Sequence, residues 1–175
     1  MFANDVQEMF GAAQLAARVK ELGAQLTEDY RGKDLTVIGV LQGSFVFMSD
    51  LVRAIDLPLR CDFLGLSSYA GTESTGVVQI TSDLKQPIVG KHVLVVEDII
   101  DTGLTMKYLL ENLATRHPAT VQVCSLLEKP SRAKVKIDIH YLGFTIPDSF
   151  VVGYGLDFDE RYRNLPFLGV LKTPG

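Results

Sequence analysis

The sequence predicts an α/β fold: a parallel-dominated central sheet flanked by helices, with a flap hairpin added to it. Three observations carry this expectation. Apolar runs of strand length recur at 35–41, 93–96 and 120–127. Segments with apolar residues at helical spacing lie between them, the order expected of strand–helix–strand crossovers. Val93 to Val96 is aliphatic throughout, as in a parallel strand buried on both faces.

Taken in order, residues 5–29 carry Val6, Met9, Ala13, Ala16, Ala17 and Leu22 with polar residues between them, which predicts an amphipathic helix that Gly32 closes. "LTVIGVL" (35–41) reads as a buried strand, and "GSFVFMSDLVRAI" (43–55) as a loop and helix. "PLRCDFLGLSSY" predicts a strand to about Leu66, ending in Ser67, Ser68 and Tyr69. The polar "SSYAGTESTGVVQI", with Gly71 and Gly76, leads into a β-prone run from Val77 to Thr81 and predicts an exposed flap. In "HVLVVEDIIDTGLTMKYLL" (92–110) a buried strand gives way to a helix, since Met106, Leu109, Leu110 and Leu113 recur at helical spacing. "TVQVCSLL" (120–127) is another buried strand, "VKIDIHYLGF" (135–144) alternates in part, and "FVVGYGLDF" (150–158) predicts a last strand. The tail "DERYRNLPFLGVL" is rich in aromatics and arginine. No repeat, low-complexity tract or linker divides the chain, so residues 1–175 are expected to form a single domain.

Bulk properties narrow the function classes. At 175 residues, 47% hydrophobic and 22% charged, the chain has the composition of a soluble globular domain. A net charge of −4 speaks against a nucleic-acid partner, which calls for a basic face. Cys61 and Cys124 lie in apolar stretches and are expected to be reduced core thiols. "MFANDVQEMF" lacks the basic start and apolar run of a secretory signal, and no segment has the roughly 20 apolar residues of a membrane span. The expectation is a cytoplasmic protein with no membrane partner.

The chemistry concentrates where the strand at 93–96 ends. Glu97, Asp98 and Asp101, followed by Thr102 and Gly103, crowd a strand-to-helix connection, and ligands of open α/β sheets sit at such carboxyl ends. A structural account makes the acids a polar strand end with Asp101 or Thr105 capping the helix. A phospho-accepting receiver would carry its acidic pair near the start of the fold, whereas about half the domain precedes this one. A third account is phosphate binding: Asp101 to Thr105 would offer backbone N–H groups and hydroxyls at a helix start, with Gly103 allowing close approach. The spacing is not that of a P-loop. Phosphate on the loop and carboxylates beside it suit a ribose 5-phosphate group.

"VLVVEDIIDTGLT" closely resembles the phosphoribosyl pyrophosphate signature of the type I phosphoribosyltransferase family. "LQGSFVFMSDL", "SSYAGTESTG", "LLEKPSR" and "GFTIPDSFVVGYGLDFDERYRNLP" match in order and point to its hypoxanthine-guanine branch. The resemblance covers the chain from about residue 35. It implies the type I phosphoribosyltransferase fold with a flap hairpin and a small C-terminal hood. The activity implied is transfer of 5-phosphoribosyl from phosphoribosyl pyrophosphate to N9 of hypoxanthine or guanine, a purine salvage reaction giving IMP or GMP and pyrophosphate. It implies Mg²⁺ as cofactor and a homodimer or homotetramer as assembly. Two alternatives stay open: a nucleotide-binding regulator built on the same fold, and an enzyme preferring xanthine.

The resemblance also implies residue roles. Glu97 and Asp98 would hold the ribose hydroxyls, directly or through a metal-bound water. Asp101 would sit near N7 of the purine and move the proton lost there. Asp101, Thr102, Gly103, Leu104 and Thr105 would form the 5-phosphate loop. Lys129 would donate to the 6-oxo oxygen, which a donor-only group selects over an amino group. Phe150 would stack on the purine and Val151 would read its edge. Asp157, on the purine side, would join Glu97 and Asp98 as a metal ligand. Leu41, Gln42 and Gly43 match the pyrophosphate loop, which in relatives often has a cis peptide before its second residue, and Arg163 would contact the same group. Gln42 stands where a basic residue is common, and Leu104 where some members carry lysine. Ser68 and Tyr69 match the tip region of a mobile flap that would exclude water.

Overall fold

The computed structural model describes residues 2–69 and 77–172. Six strands form the central sheet: β2 (Leu35–Leu41), β3 (Leu59–Tyr69), β4 (Val77–Ser82), β5 (His92–Ile100), β6 (Thr120–Glu128) and β7 (Tyr141–Thr145). Their order is β4-β3-β2-β5-β6-β7, parallel throughout except for β4, which runs antiparallel to β3 as the returning arm of the flap. The flap tip, and the side chains of Ser68 and Tyr69 expected near it, lie outside the described residues.

Three helices cover the sheet: α1 (Ala12–Asp29), α2 (Phe45–Ala54) and α3 (Leu104–Ala114). Along β5 the aliphatic side chains divide between the two faces. Leu94 and Val96 pack with Leu15, Leu22 and Leu26 of α1 and Phe47 and Leu51 of α2. Val93 and Val95 pack with Met106, Leu109 and Leu113 of α3. Burial on both sides explains why this strand shows no polar alternation. Cys124 of β6 is buried as expected, but Cys61 of β3 is exposed. It lies on the same face as Leu59 and Phe63, the face that α1 and α2 cover over the neighbouring strand, but β3 is far enough out that Phe63 is still 41% exposed.

Three expectations from local pattern are corrected. The first helix starts at Ala12, not near residue 5, and Val6–Phe10 is a strand, β1. Val6 and Met9 fit either period locally; the deciding partner is β9 (Leu168–Leu171), with Val6 opposite Leu171 and Phe10 opposite Leu168. Residues 150–158 do not make a full strand. Only Val151–Val152, β8, is extended, because Gly153 and Gly155 take φ of +96° and +101° and turn the chain back. Residues 135–140 are not strand either. Lys134 and Val135 donate backbone N–H bonds to the Thr102 carbonyl at 2.9 and 3.2 Å, while Ile137 and Ile139 pack into the α3-side core. The hood is therefore a three-stranded antiparallel sheet, β1-β9-β8, drawn from both halves of the chain rather than from the C-terminal segment alone.

Candidate active site

Because β2, β5 and β6 are parallel, their carboxyl ends open at one edge of the sheet, and the residues that follow them meet there. A cleft of about 280 Å³ at that edge is lined by Leu41 at the end of β2 and Gln42 and Gly43 after it, by Glu97 and Asp98 of β5, by Thr105 of α3, and by Asp157 and Arg163 of the hood. A smaller cavity of about 80 Å³ beside it is lined by Glu97, Asp101, Thr102, Gly103 and Thr105. A third, of about 340 Å³, lies between Asp101 and Lys129 and the segment that follows Lys129. Most of the sequence-derived candidates thus fall on one connected edge. Phe150 and Val151 line none of these three cavities, and Leu104 is 46% exposed on the helix.

The acidic pair is held by its own backbone. Glu97 Oε1 accepts from the Asp98 N–H at 3.0 Å, and Asp98 Oδ1 accepts from the Ile99 N–H at 2.7 Å. Asp98 fills the space above Gly43, where an added methyl group would overlap its carboxylate. Burial pushes the Glu97 carboxyl well above its ordinary pKa, and the neighbouring Asp98 charge pushes it the same way. Among the described residues, no three acidic, histidine or cysteine side chains converge as a self-contained metal cage.

The loop after β5 ends in Gly103, whose φ of +83° starts α3 without a side-chain cap. A helix start leaves its first N–H groups without intrahelical partners and carries a positive dipole end, so this loop can receive an anion. Thr102 Oγ1 reaches the Leu104 N–H only at 3.4 Å.

Across the cleft, the Leu41–Gln42 peptide is cis. The Arg163 guanidinium donates to the Gly155 carbonyl at 2.7 Å, pairs with Asp157 at 3.2 Å and reaches the Gln42 side-chain oxygen at 3.4 Å. Gln42, which lacks the charge common at its position, thus serves here as an acceptor for Arg163. A methyl group added at Gly155 would overlap the Gly43 carbonyl, so the hood seats directly on this loop.

On the far wall, Lys129 is only 8% exposed, with Asp148 at 3.9 Å. Arg132 Nε donates to Asp101 Oδ1 at 2.7 Å, and a second guanidinium nitrogen lies 3.6 Å from Asp148. Motif reading passed over Arg132 and Asp148, although "LLEKPSR" and "GFTIPD" contain them; the signal available was only a charge on each side of a turn. The Phe150 ring, 55% exposed, stands edge-on to Phe158 at 5.6 Å.

Comparison with known proteins places the chain in a family. The family model described as "Phosphoribosyl transferase domain" matches residues 6–159. The hypoxanthine-guanine phosphoribosyltransferase of Staphylococcus aureus is 51% identical over 171 residues, covering 97% of this chain and 96% of its own. That of Mycobacterium avium is 48% identical over 179 residues, covering 98% and 88%. A crystal structure of a hypoxanthine phosphoribosyltransferase from Staphylococcus aureus superposes with a TM-score of 0.94 at 50% identity, covering 98% of this chain and 94% of that one.

Proposed function

The chain belongs to the phosphoribosyl transferase domain family, and from this we infer that it moves a 5-phosphoribosyl group from phosphoribosyl pyrophosphate to N9 of hypoxanthine or guanine, giving IMP or GMP and pyrophosphate. It is a purine salvage transferase. The observation that carries this reading is the single edge at which the acidic pair, the anion-receiving loop, Arg163 and the buried Lys129 meet, in a chain half identical to enzymes of that name.

The residues divide the work. The N–H groups and hydroxyls of Asp101 to Thr105 take the 5-phosphate, and Glu97 and Asp98 accept hydrogen bonds from the ribose hydroxyls. Arg163 and the loop at Leu41, Gln42 and Gly43 hold the pyrophosphate, where a guanidinium fork matches phosphate oxygens. Phe150 stacks on the purine, Val151 reads its edge, and Lys129 donates to O6. As N9 bonds to the ribose C1 and pyrophosphate leaves, Asp101 accepts the proton lost from N7. Glu97, Asp98 and Asp157 carry carboxylate oxygens, the ligand type of a hard cation, and would each offer one to Mg²⁺. Held there, Mg²⁺ would offset charge on the leaving group. Ser68 and Tyr69 belong to the flap that closes over the site. We assign the protein to the cytoplasm as a homodimer or homotetramer; among the described residues no helix is long and apolar enough to cross a membrane.

The test is initial-rate turnover of hypoxanthine, guanine, xanthine and adenine with phosphoribosyl pyrophosphate, with and without Mg²⁺. Magnesium-dependent conversion of the 6-oxopurines but not adenine is expected. Binding of phosphoribosyl pyrophosphate without turnover of any base would overturn the reading.

A further inference from the structure

We propose that Arg132 is a positioning residue for the transfer: it holds the Asp101 carboxylate by Oδ1, leaves Oδ2 to the purine, and is itself steadied by Asp148, which also faces Lys129. The inference rests on the phosphoribosyl-transfer reading above. Arg132 closes a short 3₁₀ turn, Pro130–Arg132, directly after Lys129. Its N–H returns to the Lys129 carbonyl at 3.1 Å, and the Lys129 N–H donates to the carbonyl of Ile100, the residue before Asp101, at 3.0 Å. One backbone knot therefore places the group that donates to the purine and the group that orients its proton acceptor. Along this wall the charges alternate as Lys129, Asp148, Arg132 and Asp101, with separations of 3.9, 3.6 and 2.7 Å.

A purely structural role fits poorly. The Arg132 and Asp101 side chains are 46% and 39% exposed, and an ion pair so open to water adds little to folding. Orientation is where it matters. A positioned proton acceptor contributes roughly 10²–10⁴-fold, and a carboxylate free to rotate forfeits part of that.

The experiment measures kcat and KM for hypoxanthine and phosphoribosyl pyrophosphate in the wild-type chain, Arg132→Gln, Asp101→Asn and the double variant, with thermal unfolding of each. Arg132→Gln should lower kcat about 10–100-fold while KM for phosphoribosyl pyrophosphate moves less than about 3-fold. Because Arg132 acts through Asp101, adding Arg132→Gln to Asp101→Asn should change kcat by under about 2-fold. Arg132→Lys should recover part of the loss. Losses that multiply in the double variant, or wild-type turnover in Arg132→Gln, would overturn the inference while leaving the transfer reading intact. A wild-type chain that converts no base would overturn both.

Discussion

At the scale of single residues, the proposed transfer makes the buried Lys129 the group that selects the purine. Lys129 has 8% of its surface exposed, and its ammonium lies 3.9 Å from the Asp148 carboxylate, beyond hydrogen-bond reach. Such a group takes an acceptor oxygen when one arrives and penalises an amino group. Lys129→Ala should therefore lower kcat/KM for hypoxanthine about 10–100-fold and leave that for adenine nearly unchanged, narrowing the ratio between them. Competitive rate measurements on the two bases would check this; an unaltered ratio would remove Lys129 from the assignment. Lys129 was legible in the sequence because it follows a buried strand inside a recognisable segment. Its neighbour Asp148 was not, since their approach depends on where β6 and the loop before β8 end in space.

At the scale of elements, the turn at 153–156 decides how the hood meets the sheet. Gly155 has φ of +101°, and its missing side chain leaves room for the Gly43 carbonyl, while its own carbonyl takes a hydrogen bond from Arg163. Gly155→Ala would be strained twice, by the dihedral and by overlap. It should destabilise the fold by about 1–3 kcal/mol and raise KM for phosphoribosyl pyrophosphate several-fold, because the carbonyl that holds Arg163 is displaced. Thermal unfolding and initial rates would show both effects, and an unperturbed variant would mean the hood seats elsewhere. The same turn explains a misreading. "FVVGYGLDF" carries the composition of a strand, and only the dihedrals of its two glycines, which have no signature in the residue type beyond permissiveness, reveal that it folds back. The central strands were read correctly because burial on both faces writes itself into consecutive aliphatic residues, as in Val93 to Val96.

For the molecule as a whole, the exposed charge pairs at Asp34 and Asp83 make a small contribution to its response to acid. Asp34 is held below its ordinary pKa of 3.8 by the Lys91 ammonium first and by Arg60, and Asp83 is held down by the Arg116 guanidinium. Folded values below the unfolded value mean the contribution to stability is complete above about pH 4 and is lost as pH falls through the folded values. Unfolding midpoints should therefore drop below about pH 4, slightly less in the Asp34→Asn variant. A variant as acid-sensitive as the wild type would exclude Asp34 from that response. The three-stranded hood was the least legible part of the fold, because β1 and β9 pair across nearly the entire chain. That pairing has a consequence for synthesis. All six strands of the central sheet are complete by Thr145, whereas β1 waits for a partner that ends at Leu171. Within this fold the earliest strand is thus among the last to be paired. A nascent chain therefore carries Val6 without its β9 partner until Leu171 has emerged, although Phe10 can already stack on Phe144.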